Sequence, residues 1–334
     1  MKYAPVIIPT LNRFDHFKRC LESLEACTGA EFTDVYVALD YPPSEKYVEG
    51  WKKNNEYLKM KELNNGFNSL VVYRRKENYF FSGKGNAETA INDLPPTIES
   101  YIFTEDDNVF SPNFLDYINK GLALYKYDMN VFAITGYSLF NHNKGINTAG
   151  YTVYKNSSFF SAWGYAIWVN KYCKGENLHY SKYAFRSKRV FERVIRIPDS
   201  FRYMMLALKA GVNRPETDCY LTLRCRIYNM YTISPIVSLV KNIGWDGSGV
   251  HCKSDEHSGR YSNIITDKSN TFDYVMAPDY ISCQISDTIT NDYTNGDEIK
   301  IWMKILYRFI KIIGYNNYIC LITKIKSLQN PRIF

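Results

Sequence analysis

Short apolar runs alternate with longer amphipathic stretches along the first 140 residues of this chain. The apolar runs are rich in β-branched and aromatic residues, as buried strands are, and they occupy residues 6–8, 35–39, 70–73, 101–103 and 131–134. The stretches between them favour helices and lie near residues 14–26, 44–63, 84–93 and 112–126. Ser111 and Pro112 predict the start of the last helix, as an N-cap and a first helical residue. This alternation predicts an α/β fold with a mostly parallel sheet and helices on both faces.

Polar residues cluster where three of the predicted strands end: Pro9, Thr10, Asn12 and Arg13 after the first, Asp40 after the second, and Glu105, Asp106 and Asp107 after the fourth. In sheets of this kind, ligands bind beyond the carboxyl ends of the strands, so these loops are predicted to open on one crevice. Three adjacent carboxylates repel one another unless a cation lies among them, which indicates a divalent metal site. A solvated acidic turn is the alternative for the triplet taken alone.

The shared crevice gives each of these groups a possible partner in a nucleotide. Asp40 could hydrogen-bond a base or a ribose, and Arg13 could bind a phosphate or the base. A metal held by the aspartates could bridge a diphosphate. Each signal alone is weak, because a single Asp after a strand is often a turn former or a helix cap.

The positive charge is concentrated towards the C-terminus. The 334 residues include 41 Lys and Arg against 34 Asp and Glu, and seven basic residues but no acidic one follow residue 298. Lys300, Lys304, Arg308 and Lys311 recur every three or four residues, which places them on one face of an otherwise largely apolar helix. Such a helix could lie on an anionic membrane, with Trp302 near the headgroups, or pack on the body with its lysines in water. A nucleic acid is not an expected partner, because the basic residues lie among too many aliphatic ones.

Other features exclude several classes of protein. The eight cysteines include no CxxC pair, so neither a zinc site nor a disulfide framework is expected. No GxGxxG follows the first predicted strand, and residues 82–86 lack the spacing of a P-loop. The N-terminal residues contain neither a signal-peptide core nor a membrane-spanning run. We therefore expect a cytoplasmic protein, held at the inner face of the cell membrane if its C-terminal helix binds lipid.

Four ordered segments resemble motifs of one enzyme family. They are VIIPTLNR at 6–13, ALDYP at 38–42 with TEDDNVFSPNFL at 104–115, SAWGYAIW at 161–168, and VKNIGWDGSGVH at 240–251. Together they are similar to GT-A-fold glycosyltransferases of bacterial surface-polysaccharide synthesis, and distantly to the N-acetylglucosaminyltransferase I group, with EDD as the version of the DxD motif. Four motifs in order are far more specific than any one of them.

The resemblance implies a Rossmann-like GT-A fold and a domain plan. Residues 1–255 would form the catalytic domain, with the nucleotide and metal half in 1–140 and the acceptor half in 141–255. Residues 256–297 are polar and are expected to be irregular structure packed on that domain. Residues 298–334 would form the basic amphipathic helical tail.

The resemblance also implies roles for the acidic residues. Asp107 would coordinate Mn²⁺ or Mg²⁺, Asp106 would support the ribose or the metal, and Glu105 would lie nearby. Asp40 would contact the nucleobase, and Arg13 would lie where the first loop meets the nucleotide. The metal would neutralise the charge that grows on the leaving diphosphate.

An inverting transferase also needs a base for the acceptor hydroxyl. The family carries an aspartate in a Trp-Asp block upstream of the NIG motif, and the residue that matches it is Asp218. This chain departs from the pattern, since Thr217 replaces the tryptophan and Leu221 stands where a second aromatic is expected. Glu216 and Asp199 are the alternative bases, and a helix N-cap is the structural alternative for Asp218.

Three further residues have both a structural and a functional interpretation. Gly164 could let the backbone approach the donor sugar, and Trp163 could pack against the sugar or acceptor ring, but a buried aromatic core is the alternative for both. The glycine-rich stretch 244–249 leads to His251, which could reach the diphosphate or complete the metal shell. That stretch could act as a closing lid, and His251 could equally be an ordinary surface histidine.

The sequence therefore predicts an inverting, metal-dependent hexosyltransferase of surface-polysaccharide or lipopolysaccharide synthesis. It would move a sugar from a nucleotide diphosphate, expected to be UDP, to a hydroxyl of a glycan or lipid-linked acceptor. One alternative is a sugar nucleotidyltransferase on a related fold, although its GxGxR loop is missing. The other is a non-catalytic glycan- or metal-binding protein on a degenerate transferase fold.

Overall fold

The computed structural model describes residues 3–80, 82, 84–140, 145–171, 188–194, 218–248 and 267–294, together with individual positions between 305 and 324. The chain divides into two compact units. The first unit consists of Met1–Lys155, Ser161–Lys174 and Thr232–Ser282. The second consists of Asn156–Phe160, Gly175–Tyr231 and Cys283–Phe334.

This division differs from the expected halves 1–140 and 141–255, because the chain enters the first unit three times. The segments Ser161–Lys174 and Thr232–Ser282 return to it, since they carry strands that pair within its sheets. Pairing between distant strands therefore overrides the sequence order on which the expected halves were based.

Ten strands are present in the described residues. They are β1 (Val6–Thr10), β2 (Asp34–Leu39), β3 (Ser69–Arg74), β4 (Ser100–Phe103), β5 (Asn108–Phe110), β6 (Val131–Thr135), β7 (Val153–Asn156), β8 (Tyr165–Trp168), β9 (Tyr231–Pro235) and β10 (Val240–Asn242). Eight of them form one sheet in the order β3-β2-β1-β4-β8-β6-β9-β7, and β10 and β5 form a separate pair. The neighbours β3, β2, β1 and β4 run parallel, whereas β8 is antiparallel to both β4 and β6.

Seven α-helices are described. They are α1 (Phe14–Glu25), α2 (Val48–Leu63), α3 (Asn86–Asn92), α4 (Phe114–Leu124), α5 (Lys188–Val194), α6 (Asp218–Tyr228) and α7 (Asp279–Thr294). The predicted α/β class is confirmed. Every residue of β2 and of β6 is buried, as expected for strands covered on both faces of a sheet.

The spacing of apolar residues explains how α1 packs. Phe17, Cys20, Leu21 and Leu24 are its buried positions, and their separations of three and four residues form one helical face. Helix α4 begins later than predicted, with Asn113 rather than Ser111 at the N-cap.

The prediction for the start of α4 was wrong because the preceding backbone is already paired elsewhere. The amide of Ser111 donates to the carbonyl of Leu239 at 2.9 Å, and the carbonyl of Pro112 accepts from the amide of Thr28 at 2.8 Å. Ser111 therefore extends the pairing of β5 with β10 instead of capping a helix.

The segment expected to be irregular, 256–297, contains the 16-residue helix α7. Ile281, Ile285 and Ile289 are buried and recur every four residues, which gives the helix an apolar stripe. The sequence did not predict this helix, because the residues between the isoleucines are mostly polar. Residues 256–266 and 295–297 lie outside the described residues.

In the second unit, an arginine closes the end of a helix. Arg193 on α5 donates from Nε to the carbonyl of Arg226 at 2.8 Å and from Nη2 to that of Ile227 at 3.0 Å. Because the last carbonyls of a helix lack intrahelical donors, this side chain satisfies the C-terminus of α6. Thr222 on α6 accepts from the amide of Phe160 at 2.9 Å.

The predicted basic tail lies largely outside the described residues. Its described positions between 305 and 324 are helical apart from Gly314. No helix in the described part of the chain combines the length and the apolar character needed to cross a bilayer.

Candidate active site

The carboxyl ends of β1 and β4 bring two of the predicted loops together. The strands are parallel, with Ile7 opposite Phe103, so the residues after each strand leave the sheet at the same edge. There Thr10 donates from Oγ1 to Oδ2 of Asp106 at 2.7 Å. Asp106 and Asp107 are each 7% exposed, so the solvated-turn interpretation of these two acids is excluded.

Arg13 supplies the positive charge between the two aspartates. Its Nη2 atom lies 2.5 Å from Oδ1 of Asp106 and 2.8 Å from Oδ2 of Asp107. The sequence predicted a divalent metal among these carboxylates; the structure has a guanidinium between Asp106 and Asp107, and the metal stays a prediction. Buried carboxylates need such a partner, because a lone charge in the interior is strongly unfavourable.

The pKa values reflect this mutual dependence. Burial raises the pKa of Asp106 above its ordinary value; Arg13 acts in the opposite direction without cancelling the rise, to which Asp107 adds. Burial opposes the charge of Arg13, but the two aspartates raise its pKa above its ordinary value. The ionised form of Asp106 is therefore less stable in this site than it would be in water.

The antiparallel pair of strands β5 and β10 holds Asp107 from its other side. Strands β5 and β10 pair antiparallel with Asn242 opposite Asn108. Nδ2 of Asn242 donates to Oδ1 of Asp107 at 2.7 Å and to Oδ1 of Asn108 at 3.1 Å. The amide of Ile243 donates to the carbonyl of Asp107 at 2.8 Å, so backbone and side chain of Asp107 are both held.

Gly244, two residues after β10, has to be a glycine because the side chains of Asp107 and Arg13 lie close to its Cα. A Cβ atom on Gly244 would lie 2.1 Å from Oδ2 of Asp107 and 3.1 Å from Nη1 of Arg13. The Gly244 amide instead donates to Oδ1 of Asn242 at 2.9 Å. The NIG segment therefore wraps directly around the Arg13–Asp107 pair.

Helix α2 supports the loop after β1. The buried Asn54 donates to Oγ1 of Thr10 at 3.3 Å. A Cβ atom on Gly50 would lie 2.0 Å from the carbonyl oxygen of Asn12, so the helix backbone lies against this loop. Pro9 is half-buried within β1, and it contributes to the strand rather than to the network.

Asp40, after β2, is 3% exposed and organises a second loop. Its Oδ1 accepts from the amides of Tyr41 at 2.9 Å and Tyr79 at 2.8 Å, and its Oδ2 accepts from that of Phe80 at 3.0 Å. These bonds leave further acceptor capacity on Oδ2. The proposed contact with a nucleobase stays a prediction.

Sequence reasoning missed Arg75, which lies beside the loop that Asp40 holds. Its guanidinium lies over the rings of Tyr73 at 5.4 Å and Tyr79 at 4.8 Å. It donates to Oδ1 of Asn86 at 3.1 Å and to Oδ2 of Asp93 at 3.1 Å. Its place directly after β3, at the same sheet edge as Asp40, was the available sequence signal.

Trp163 and Gly164 lie just before β8. The Trp163 ring packs edge-on against Tyr137 at 4.5 Å and Trp245 at 6.1 Å. Gly164 has a φ of +67°, and a Cβ atom on it would lie 3.0 Å from Val240. Backbone conformation and packing therefore account for the glycine, and a contact of either residue with a sugar stays a prediction.

The glycine-rich loop is held on two sides. Trp245 contacts Trp163, and Oδ2 of Asp246 lies 3.0 Å from Nε2 of His16 on α1. The proposed mobility of this loop is not tested by these contacts. His251 lies outside the described residues.

The candidate base Asp218 belongs to the second unit. Asp218 is the half-buried first residue of α6, a position consistent with either the catalytic or the helix-start interpretation. The alternatives Glu216 and Asp199 lie outside the described residues. In the first unit, Glu105 is half-buried, and its carbonyl accepts from the Sγ of Cys20 at 3.6 Å.

The donor set can be compared with what a divalent metal needs. Within the described residues, no group of three or more His, Cys, Asp or Glu side chains is arranged to hold an ion. Mg²⁺ and similar ions in nucleotide enzymes often use only one or two carboxylates, and substrate phosphates and water complete their shell. Asp107 and Asp106 fit a metal of that kind rather than one in an all-protein cage.

No protein-family model and no curated protein sequence matches this chain. Among solved structures, residues 1–349 of S. aureus TarS match with 15% identity over 71% of this chain and 58% of that one, at a TM-score of 0.37. In another structure of S. aureus TarS, the match spans 25% of that chain. This chain therefore spans less than two thirds of the TarS structures that it matches.

Two other glycosyltransferases are similar at the same level. The Pyrobaculum calidifontis mannosyltransferase PcManGT, solved with GDP-Man and Mn²⁺, shares 14% identity over 68% of this chain and 70% of its own, with a TM-score of 0.35. Streptococcus pneumoniae GlyE shares 11% identity over 70% of this chain and 45% of its own, with a TM-score of 0.33. These similarities are distant, at 11–15% identity and TM-scores below 0.4.

Proposed function

We propose that this protein is a metal-dependent, inverting glycosyltransferase that uses a nucleotide diphosphate sugar, with UDP as the nucleotide. One observation carries the proposal: two consecutive buried aspartates at the end of β4 meet Thr10 and Arg13 from the loop after β1. Charged groups buried at the carboxyl edge of a parallel sheet are costly to the fold, and this edge is where such sheets bind nucleotides.

The residues of the first unit would bind the leaving group. Asp107, supported by Asp106, would hold Mn²⁺ or Mg²⁺, which would neutralise the charge that develops on the diphosphate. Arg13 would bind a phosphate oxygen, because a guanidinium matches phosphate geometry. Asp40 would accept a hydrogen bond from the nucleobase. His251 would approach the diphosphate from the segment after the glycine-rich loop.

Asp218, Trp163 and Gly164 would serve the acceptor and the transferred sugar. Asp218 would take the proton from the acceptor hydroxyl as that oxygen attacks the anomeric carbon, with Glu216 and Asp199 as alternatives. Trp163 would pack against the sugar or acceptor ring, and Gly164 would let the backbone approach. The acceptor would be a glycan or a lipid-linked glycan of surface-polysaccharide or lipopolysaccharide synthesis.

The basic C-terminal helix would keep the enzyme at the cytoplasmic face of the membrane. Ile305, Phe309 and Ile312 are 63%, 42% and 83% exposed. Their separations of four and three residues place them on one helical face. Exposed apolar residues beside Arg308 and the neighbouring lysines suit an anionic lipid surface.

The test measures UDP release from a panel of UDP-sugars, with Mn²⁺ or with EDTA, in the presence of glycan acceptors. GDP-mannose serves as the donor of a second nucleotide class. We expect release that requires the metal, is lost in Asp107→Asn and persists in Asp273→Asn, a control at an exposed aspartate. Asp218→Asn should bind the donor without turning it over. No turnover with any donor, metal and acceptor would contradict the proposal.

Two other results would favour the alternative functions. Pyrophosphate release from UTP and a sugar 1-phosphate would indicate a nucleotidyltransferase. Tight donor or glycan binding without turnover, in wild type as well as in Asp218→Asn, would indicate a non-catalytic binding protein.

A further inference from the structure

Arg13 bridges the two aspartates through a single nitrogen. Its Nη2 contacts both Asp106 and Asp107, and within the described residues all of its side-chain ion pairs are made by that atom. Nε and Nη1 therefore keep three N–H donors. The side chain of Arg13 is 21% exposed, against 9% for each aspartate, so the guanidinium has a solvent side that the carboxylates lack.

The aspartates do not depend on Arg13 for their positions. Asp106 also accepts from Thr10 at 2.7 Å, and Asp107 from Asn242 at 2.7 Å. The backbone of Asp107 is tied to the amide of Ile243. Both carboxylates would therefore keep their orientation if the arginine side chain moved away. Arg13 can be exchanged for another cation only under this condition.

The backbone of Arg13 is fixed although its side chain reaches far. Its carbonyl accepts from the amide of Phe17 at 2.9 Å at the start of α1, and Gly50 lies against the preceding Asn12 carbonyl. A change of partner would therefore be a rotation of the long side chain, without movement of the loop or the helix.

The charges of the three side chains explain why exchange would matter. Two carboxylates and one guanidinium leave one net negative charge in a largely buried cluster. A divalent cation at Asp107 would lie close to the guanidinium, and like charges repel strongly where water is scarce. A diphosphate would offer the guanidinium other oxygens and would itself balance the cation.

Building on the function proposed above, we propose that Arg13 is an exchangeable counter-ion: it neutralises Asp106 and Asp107 in the free protein and passes to the diphosphate when donor and metal bind. Without the donor, the metal then competes with the Arg13 guanidinium for the two carboxylates. With the donor bound, the guanidinium contacts the diphosphate, and this competition ends. Metal and donor therefore bind cooperatively, and each strengthens the other by the same factor.

The test measures Mn²⁺ affinity directly, by the paramagnetic resonance signal of free Mn²⁺, on the full chain with and without UDP. In the wild type, we expect UDP to strengthen Mn²⁺ binding by about tenfold or more. In Arg13→Gln, Mn²⁺ should bind about tenfold more tightly than in the wild type without UDP, and UDP should add little.

Three further variants separate the effect of charge from that of structure. Arg13→Lys keeps the positive charge and should bind Mn²⁺ weakly without UDP, as the wild type does. Arg19→Gln removes an exposed charge on α1 and should behave like the wild type. Asp107→Asn, introduced into Arg13→Gln, should abolish the gain, which would locate the new affinity at this site.

Several results would overturn the counter-ion role. One is equal or weaker Mn²⁺ binding by Arg13→Gln than by the wild type without UDP, while the wild type still binds Mn²⁺ with UDP; the proposed function would then stand. Another, which does not depend on any variant folding, is tight Mn²⁺ binding by the wild type that UDP does not change. No Mn²⁺ binding by any form, with or without UDP, would overturn both proposals.

Discussion

Asn242 donates a hydrogen bond of 2.7 Å to the carboxylate of Asp107, which lies 135 residues earlier in the chain. The same amide nitrogen also reaches Asn108, and its oxygen accepts from the Gly244 amide. The bond to Asp107 orients that carboxylate, and the bonds to Asn108 and Gly244 hold the Asn242 amide in place. Asp107 is the proposed metal ligand, and loss of a partner that orients a metal ligand typically costs about 10–100-fold in metal affinity.

Replacing Asn242 should therefore weaken the metal site without emptying it. In Asn242→Leu, the donor to Asp107 is lost and no charge is added, so the Mn²⁺ concentration for half-maximal activity should rise by about 10–100-fold. Titration of UDP release with Mn²⁺ checks this, with Asn270→Leu as the control at an exposed asparagine. An unchanged Mn²⁺ dependence would remove Asn242 from the site.

Gly244 should not tolerate even one methyl group. In Gly244→Ala the Cβ atom would lie 2.1 Å from Oδ2 of Asp107, so the carboxylate or the loop must move. We expect turnover to fall by about 100-fold, the effect of a misplacement of the order of 1 Å. Gly66→Ala, where the nearest atom is 3.2 Å away, is the control. Wild-type kinetics in Gly244→Ala would contradict the close approach.

Buried thiols should make the fold sensitive to alkali. Burial raises the pKa of Cys27 from 9.0 to about 12, so its stabilising contribution is complete below pH 9 and is lost as the pH rises towards 12. The loss should reach about 2 kcal/mol of unfolding free energy near pH 10.5. Urea unfolding at pH 8 and near pH 10.5 measures it. Cys27→Ala should lose less stability over this interval than the wild type, and an equal loss would contradict the assignment.

Lys171 should be a major contributor to stability. It is 3% exposed, and its Nζ donates to the carbonyls of Tyr125, Asp128 and Val131 at 2.8, 2.7 and 3.1 Å. Lys171→Met would remove three charge-assisted hydrogen bonds, of which the one to the Val131 carbonyl is buried, so we expect a loss of about 2–4 kcal/mol in urea unfolding. Lys126→Met, at an exposed lysine, should cost less than about 1 kcal/mol. Similar losses in both variants would refute the special role of Lys171.

The basic tail should bind lipid through its charge. Replacing Lys300, Lys304, Arg308 and Lys311 by Gln should remove binding to vesicles with anionic lipid, because each basic residue near such a surface contributes about 1 kcal/mol. Replacing the exposed Lys46, Lys52, Lys59 and Lys76 removes the same charge elsewhere and should leave binding intact. Cosedimentation measures both, and equal effects of the two sets would indicate nonspecific attraction.

Much of the first unit could be predicted because its signals are local. Five predicted strands and four predicted helices correspond to β1 to β4, β6 and α1 to α4, with small differences at their ends. Strand and helix periods are written into consecutive residues. Helix α7 was missed because its buried isoleucines are separated by polar residues that resemble a loop.

The sequence by itself determined the α/β order of the first 140 residues and the edge at which Thr10, Arg13, Asp106 and Asp107 meet. The direction of parallel strands follows from that order, and their carboxyl ends then share one edge. Only the tertiary structure decided that Arg13 is the cation between the aspartates and that Asn242 and Gly244 enclose Asp107. Those contacts span 93 and 135 residues, and they depend on side-chain distances that no periodicity encodes.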